Sequence, residues 1–451
     1  MIVQNDIAES TGSGSGRGLD SEQQLGGLPP AARVSAGQAR WALFLLTLVG
    51  ALNYFHRTIF NVVLESIKSE MHLSDTSIGL LGGVAFVLCY SLLGVPVAYL
   101  ADRFNRRNII AIGLAFWSFM TVLTGMAINV WQLASTRFLM GAGESTGTAP
   151  SNSFVSDLYG NDRRAFVLGI TSTGSGIGTA LAYLIGGAMN QHYGWRSVFY
   201  VASIPGIVVA VLLLLTVREP ARGAFDSVKA AAQTSSFRET LGFLFCSKTY
   251  VLVVSGGCMM SIAMYAILLW SAAFLMRIHK LSSGGAGAFV ATATLPSLVG
   301  PILGGYLAGR LGRRDERWRA WIPALGCGLF APAMACFVLS DSGAVSYAGL
   351  CVALFCVALH LAPVYALCLN VAQVRMRAVA SAVFLLCANI LGQTIGPLGV
   401  GYLTDKLTAT MGSMAIRYSM ATATSCAVAG GVLIWASARY VVQDTRRALE
   451  A

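Results

Sequence analysis

Long apolar runs alternate with short polar breaks along most of the chain. Runs such as Val198–Val217 and Ala320–Leu339 reach the roughly 20 residues needed to cross the hydrocarbon core of a bilayer, and such runs recur from about residue 41 onward. The pattern predicts an all-α membrane protein with twelve transmembrane helices. They fall at about 41–63, 76–100, 108–128, 131–156, 165–189, 196–217, 247–275, 284–308, 319–339, 344–371, 379–403 and 415–441. The largest polar break, 218–246, carries Arg218, Arg222, Lys229 and Arg238 and reads as a linker between two six-helix bundles, 41–217 and 247–441. Residues 1–40 are polar and rich in Gly and Ser, as in TGSGSGRG at Thr11–Gly18. They read as a disordered tail rather than a cleavable signal, and 442–451 as a short C-terminal tail.

Composition agrees with this pattern. The 451 residues are 55% hydrophobic and only 11% charged, against about 25% charged in a soluble domain. The net charge of +11 admits a nucleic-acid partner in principle, but the positions of the basic residues give a simpler account. Arg103, Arg106, Arg107, Arg163, Arg164, Arg310, Arg313, Arg314, Arg317, Arg319, Arg375 and Arg377 fall in loops on the side of the two termini. The opposite loops hold only Lys68, Arg196, Arg277, Lys280, Lys406 and Arg417. This bias predicts cytoplasmic N- and C-termini in an inner or plasma membrane, with no nucleic acid involved. The ten cysteines lie mostly inside apolar runs, with no CxxC and no metal-ligand spacing. They are expected to pack as small apolar residues, and neither metal nor cofactor is expected.

The halves repeat one another. AYLADRFNRR at Ala98–Arg107 closes the second helix, and GYLAGRLGRR at Gly305–Arg314 closes the eighth. Two parallel repeats place a substrate site between them near the bilayer midplane. The DRFNRR string resembles the loop signature of the major facilitator superfamily. RFLMGAGESTGTAPSNSFVSDLY (Arg137–Tyr159), NYFHR (Asn53–Arg57), GWRSVFYVASIPG (Gly194–Gly206), VREPARG (Val217–Gly223) and AAFLMRIHKLS (Ala272–Ser282) resemble its spinster-like branch, over about residues 41–445. The resemblance implies alternating access and proton-linked transport of amphipathic anions such as lysophospholipids or sphingosine phosphates. It also implies that Asp102 meets the start of the eleventh helix near Ala378–Ser381, and that Arg103 and Arg106 pair with Asp157. Together these four residues would form a lock that opens when the cavity faces inward. The signature's usual Gly is Ala98 here, and Gly309 stands where the second half would repeat Asp102.

Ionisable groups inside a bilayer are costly and usually functional. The expected set is His56, Arg57, Arg137, Glu144 and His360, with Glu144 the sole deep carboxylate. Arg137 and Glu144 are seven apart, hence on one helix face. Helical rise puts Glu144 about 20 Å and Arg137 about 9 Å from the end of their helix opposite the termini, with His56 and Arg57 at about 10 Å in the first helix. Glu144 is the expected proton carrier: burial opposes its charge and Arg137 favours it, so the balance can switch as the cavity opens to either side. The plain alternative is a permanent Arg137–Glu144 clamp. Arg57 and Arg137 together suit an anionic group; alternatively Arg57 snorkels to headgroups.

His56 departs from the NYxDR pattern of the resemblance. There an Asp shares proton coupling, so His56 either replaces that site, weakens it, or only packs. Asn53, Tyr54, Asn389, Gln393, Tyr265, Trp270, Tyr365 and His360 are further candidates for the substrate wall. For the aromatics and for His360 packing is the commoner role, and Asn389 and Gln393 equally suit a bond to a neighbouring helix. GSGIG at Gly174–Gly178 suits close helix packing.

GESTG at Gly143–Gly147 matches a nucleophile elbow by letters only. It lies inside a spanning helix rather than at a strand-to-helix turn, so no enzyme is expected. The reading is a monomeric secondary transporter whose partners are protons, membrane lipids and a small-molecule or lipid substrate. An uncoupled facilitator or exporter, and a non-transporting ligand sensor, are the alternatives.

Overall fold

A computed structural model describes residues 35–222 and 237–450. The N-terminal tail, apart from its last residues, and most of the expected linker, including Lys229, lie outside the described residues.

The described residues are helical throughout, with no strand. Ten stretches are long and apolar enough to cross a membrane. One of them, Val374–Ser437, holds two helices, Arg377–Met411 and Ala415–Ser437, which pack on each other. The fourth span is broken into Val130–Glu144 and Thr148–Leu158. Twelve spans result. The others are Ala36–Met71, Asp75–Arg103, Arg106–Met126, Asn161–Tyr193, Trp195–Thr216, Lys248–Ile278, Ser283–Leu311, Trp318–Leu339 and Gly343–Asn370. An even number of spans puts both ends of the chain on one side. Several helices run past their apolar core into polar ends, so Glu65, Glu70 and Asp405 are helical rather than loop residues. The last part of the expected linker, Phe237–Cys246, is a helix.

The halves meet mainly between the second and eleventh spans and between the fifth and eighth. Glycine permits the closest approaches: a Cβ on Gly83 would lie 1.9 Å from the Gln393 carbonyl oxygen, and one on Gly401 would lie 2.3 Å from that of Asp75. The second span contains a π-helical turn at Leu80–Val84, next to this seam. Such turns leave the regular hydrogen-bond ladder and often mark functional positions.

Candidate functional site

Glu144 ends the first piece of the fourth span. Pro150 has no N–H to continue the ladder and sits in the first turn of the second piece, just after the break at Ser145–Gly147. Ser145 and Thr146 donate their hydroxyls to Ala142 O (2.7 Å) and Gly143 O (2.8 Å), and Gly147 N–H donates to Glu144 O (3.0 Å). Asn53 of the first span donates through Nδ2 to the same Glu144 carbonyl at 3.3 Å, which ties the break to the first span. The Glu144 side chain is 0% exposed, and neither carboxylate oxygen has a hydrogen-bond partner.

Arg137 and Glu144 do not form the expected direct pair. Seven residues of helix separate them by about 10.5 Å of rise. Arg137 spends its reach elsewhere: its guanidinium lies 4.4 Å from the centre of the Phe60 ring, and Nε faces the Leu81 carbonyl of the π turn at 3.5 Å. The permanent clamp is therefore absent. Neither Arg57 nor Arg137 makes an ion pair with Glu144. Their guanidinium carbons lie 4.8 and 5.7 Å from the centre of the same ring, Phe86. Arg57 Nη2 and Arg137 Nη1 are buried without a partner.

His56 does not join this cluster. It is 0% exposed, with Nδ1 2.9 Å from Trp117 Nε1 and Nε2 2.7 Å from Ala202 O. An indole N–H only donates and a carbonyl only accepts. Only the neutral imidazole with its proton on Nε2 satisfies both, so the ring is a tie among the first, third and sixth spans. Trp117→Phe removes the donor and strands a buried acceptor. It is expected to cost about 1–3 kcal/mol, read as a lower melting temperature, while leaving the pH dependence of transport unchanged.

Between the halves lies a cavity of about 420 Å³. Arg57, Tyr54, Tyr265 and Gln393 line it among apolar residues including Leu268, Leu298, Pro301 and Leu354. Arg57 thus faces the centre rather than headgroups. Tyr265 Oη donates to Asn389 Oδ1 at 2.8 Å, as does Gln393 Nε2 at 3.2 Å. Glu144 and Arg137 lie outside the lining, so of these three charges Arg57 alone reaches the cavity.

Five expected wall residues fall outside the lining: Asn53, held on the Glu144 carbonyl, Asn389, held by Tyr265 and Gln393, and three more. Trp270 is 0% exposed and donates to Pro397 O at 3.0 Å, joining the seventh and eleventh spans. His360 is buried with Nδ1 2.5 Å from Val357 O, on the side of its helix that packs against Gly326. Tyr365 is exposed and outside the cavity.

At the termini end, Arg106 pairs with Asp157 (2.5 Å) and Glu219 (2.8 Å) and donates to Ser153 (3.0 Å). Arg103 instead lies exposed over the Tyr99 ring at 4.2 Å. Asp102 is exposed, with no hydrogen-bond or ion-pair partner among the described residues, so it does not meet the start of the eleventh helix in this state.

Sequence reasoning missed a latch at the opposite end. Arg277 of the C-terminal half grips Asp75 through Nη1 (2.9 Å) and Nη2 (2.6 Å), and Glu65 through Nε (2.8 Å). Lys68 also reaches Asp75 at 2.6 Å. Asp405 accepts from the Asp75 and Thr76 N–H groups at 2.9 and 2.8 Å, capping the second span from the other half. All the ion pairs between halves among the described residues lie at this end, which is closed. Lys68 and Arg277 had entered the sequence reading only as loop charges. The usable signal was Glu65, Lys68 and Asp75 crowded around one short connection.

The model of the Major Facilitator Superfamily matches residues 46–397. The chain is 32% identical over 420 residues to an MFS-type efflux pump of Mycolicibacterium smegmatis, covering 90% of this chain and 95% of that one. It is 26% identical to protein spinster homolog 1 of Homo sapiens, covering 94% and 85%. The crystal structure of a bacterial homologue of the human lysosomal transporter spinster, inward-facing and unoccupied, superposes with TM-score 0.83 at 28% identity, covering 91% of this chain and 99% of that one.

Proposed function

The chain belongs to the spinster-like branch of the major facilitator superfamily, and on that premise we propose that it is a proton-coupled transporter of an amphipathic anion, with Glu144 as the proton carrier. The observation that carries this reading is the position of Arg57: it lines the cavity and shares the Phe86 ring with Arg137, while its own span, through Asn53, holds the helix break at the buried, unpartnered Glu144. A substrate anion drawn to Arg57 withdraws that cation's support from the Glu144 charge. Protonating Glu144 frees Arg57 for the anion. Anion and proton are then linked through one guanidinium.

The substrate class follows from the wall. One cation, Tyr54, Tyr265 and Gln393 face a mostly apolar cavity, the last two steadied by Asn389 behind them, which suits a charged head joined to an apolar tail. Lysophospholipids, sphingoid phosphates and small organic acids are the ligands to compare. A ligand bound only by the folded protein raises its melting temperature. The lipid-like anions are expected to do so most, and cationic amphiphiles not at all. Arg57→Gln is expected to weaken anion binding by roughly tenfold to a hundredfold, the worth of a hydrogen bond to a charged group. Unchanged affinity in that variant contradicts the assignment of Arg57.

In this reading the end bearing the termini is cytoplasmic, in the inner membrane, as the arginine bias suggests. Closure at the Arg277 latch fits an inward-open state. With His56 tied in its neutral form, coupling rests on Glu144 alone.

A further inference from the structure

A second cavity, of about 800 Å³, lies at the termini end of the C-terminal half, away from the central pathway. It is bounded by the start of the seventh span, the end of the twelfth, and the terminal helix Val441–Glu450. Four cations converge on it: Lys248, Arg439, Arg446 and Arg447. None has an ion-pair partner among the described residues. Three are held by rings instead, Lys248 at 5.0 Å from the centre of Tyr440, Arg447 at 4.9 Å from Phe243 and Arg439 at 5.7 Å from Trp435. One carboxylate of the lining is already occupied: Asp444 accepts from Ser247 Oγ (2.9 Å) and Thr249 N–H (2.8 Å), fastening the terminal helix to the seventh span. Glu450 is the other acid of the lining. Trp435, Phe245 and Leu449, neighbours in sequence of the lining residues, stand exposed.

Scattered basic residues are ordinary at this membrane face. Four that share one cavity with two acids, one of them already hydrogen-bonded, and that stand next to exposed apolar side chains leave an excess of positive charge suited to an anion. We propose that this pocket binds the phosphate-bearing headgroup of an anionic phospholipid from the leaflet on the side of the termini. The bound lipid braces the terminal helix against the seventh span, which carries Tyr265 and Arg277. This site is independent of the transport reading.

The test uses the full chain in nanodiscs of phosphatidylcholine, with or without phosphatidylglycerol. Phosphatidylglycerol is expected to raise the melting temperature by roughly 3 °C or more. The paired variant Arg446→Gln/Arg447→Gln should lose most of that shift. Arg313→Gln/Arg314→Gln, which removes the same charge from another exposed loop at the termini end, should keep it. Glycerol 1-phosphate added to phosphatidylcholine nanodiscs separates the sources: a shift only with the lipid supports recognition from the membrane, and a shift with both supports recognition of phosphate itself. Native mass spectrometry of the unaltered protein should show phosphatidylglycerol retained after phosphatidylcholine is stripped. An equal shift in both paired variants, or no preference for phosphatidylglycerol in the unaltered protein, overturns the proposal.

Discussion

Glu144→Gln is expected to leave the protein folded and able to exchange substrate across the membrane, while its transport no longer responds to a pH gradient. Gln keeps the shape of the side chain and removes only its ability to gain and lose a proton. The Glu144 side-chain oxygens hold no protein hydrogen bond that the amide would break, and the Asn53 bond is to the backbone carbonyl, so the helix break survives. The loss should appear in coupling. A link of about 1–3 kcal/mol between two ligands corresponds to 5–150-fold in apparent affinity, so gradient-driven flux is expected to fall by about tenfold or more. The measurement is uptake into proteoliposomes with an imposed pH gradient, set beside counterflow without one. Gradient-driven flux in Glu144→Gln equal to that of the unaltered protein rules out coupling through this carboxyl.

The second large effect is expected at the closed end. Arg277 is largely buried and bridges Glu65 and Asp75 across the halves. Removing one partner of a buried pair typically costs about 3–5 kcal/mol, because the other charge is left uncompensated. Here Lys68 still faces Asp75 and the Asp405 cap remains, so roughly 2 kcal/mol is the expected shift for Arg277→Gln, or about thirtyfold in the balance of states. The closed arrangement loses that much relative to the one open on this side. Spin labels on exposed ends of the second and eleventh spans should report a longer distance population in the variant. An unchanged distance distribution shows that helix packing, with Gly83 and Gly401 at the seam, closes this end without the ion pairs.

Spans and halves were legible because hydrocarbon-length apolar runs and a repeated loop leave a strong linear signal. Val198–Val217 and Ala98–Arg107 are examples. Helix ends were less legible: polar residues such as Glu65 and Asp405 continue a helix beyond the membrane core, where hydropathy cannot see them. The break after Glu144 was written in Pro150 and the serine–threonine run, but inside a run of suitable length it read as continuous helix.

Among site residues, Arg57, Tyr265 and Gln393 reach the cavity as their positions suggested. Helical periodicity gives the face a residue occupies but not which neighbour its long side chain meets. Arg137 accordingly points to Phe60 rather than Glu144. The fate of His56 depended on Trp117 and Ala202, far away in sequence. Trp270 and His360 show the same limit: a polar tip in a membrane helix needs a partner, and a backbone carbonyl supplies one as readily as a substrate does.

The most direct test of the central claim is infrared difference spectroscopy of the carboxyl C=O stretch at Glu144, on protein titrated through the pH range in which it remains folded. A proton carried on Glu144 gives a protonated-carboxyl band that varies with pH, shifts when an anionic ligand is added, and is missing from Glu144→Gln. A band that is absent throughout, or one that neither pH nor ligand alters, contradicts a proton carried on this residue.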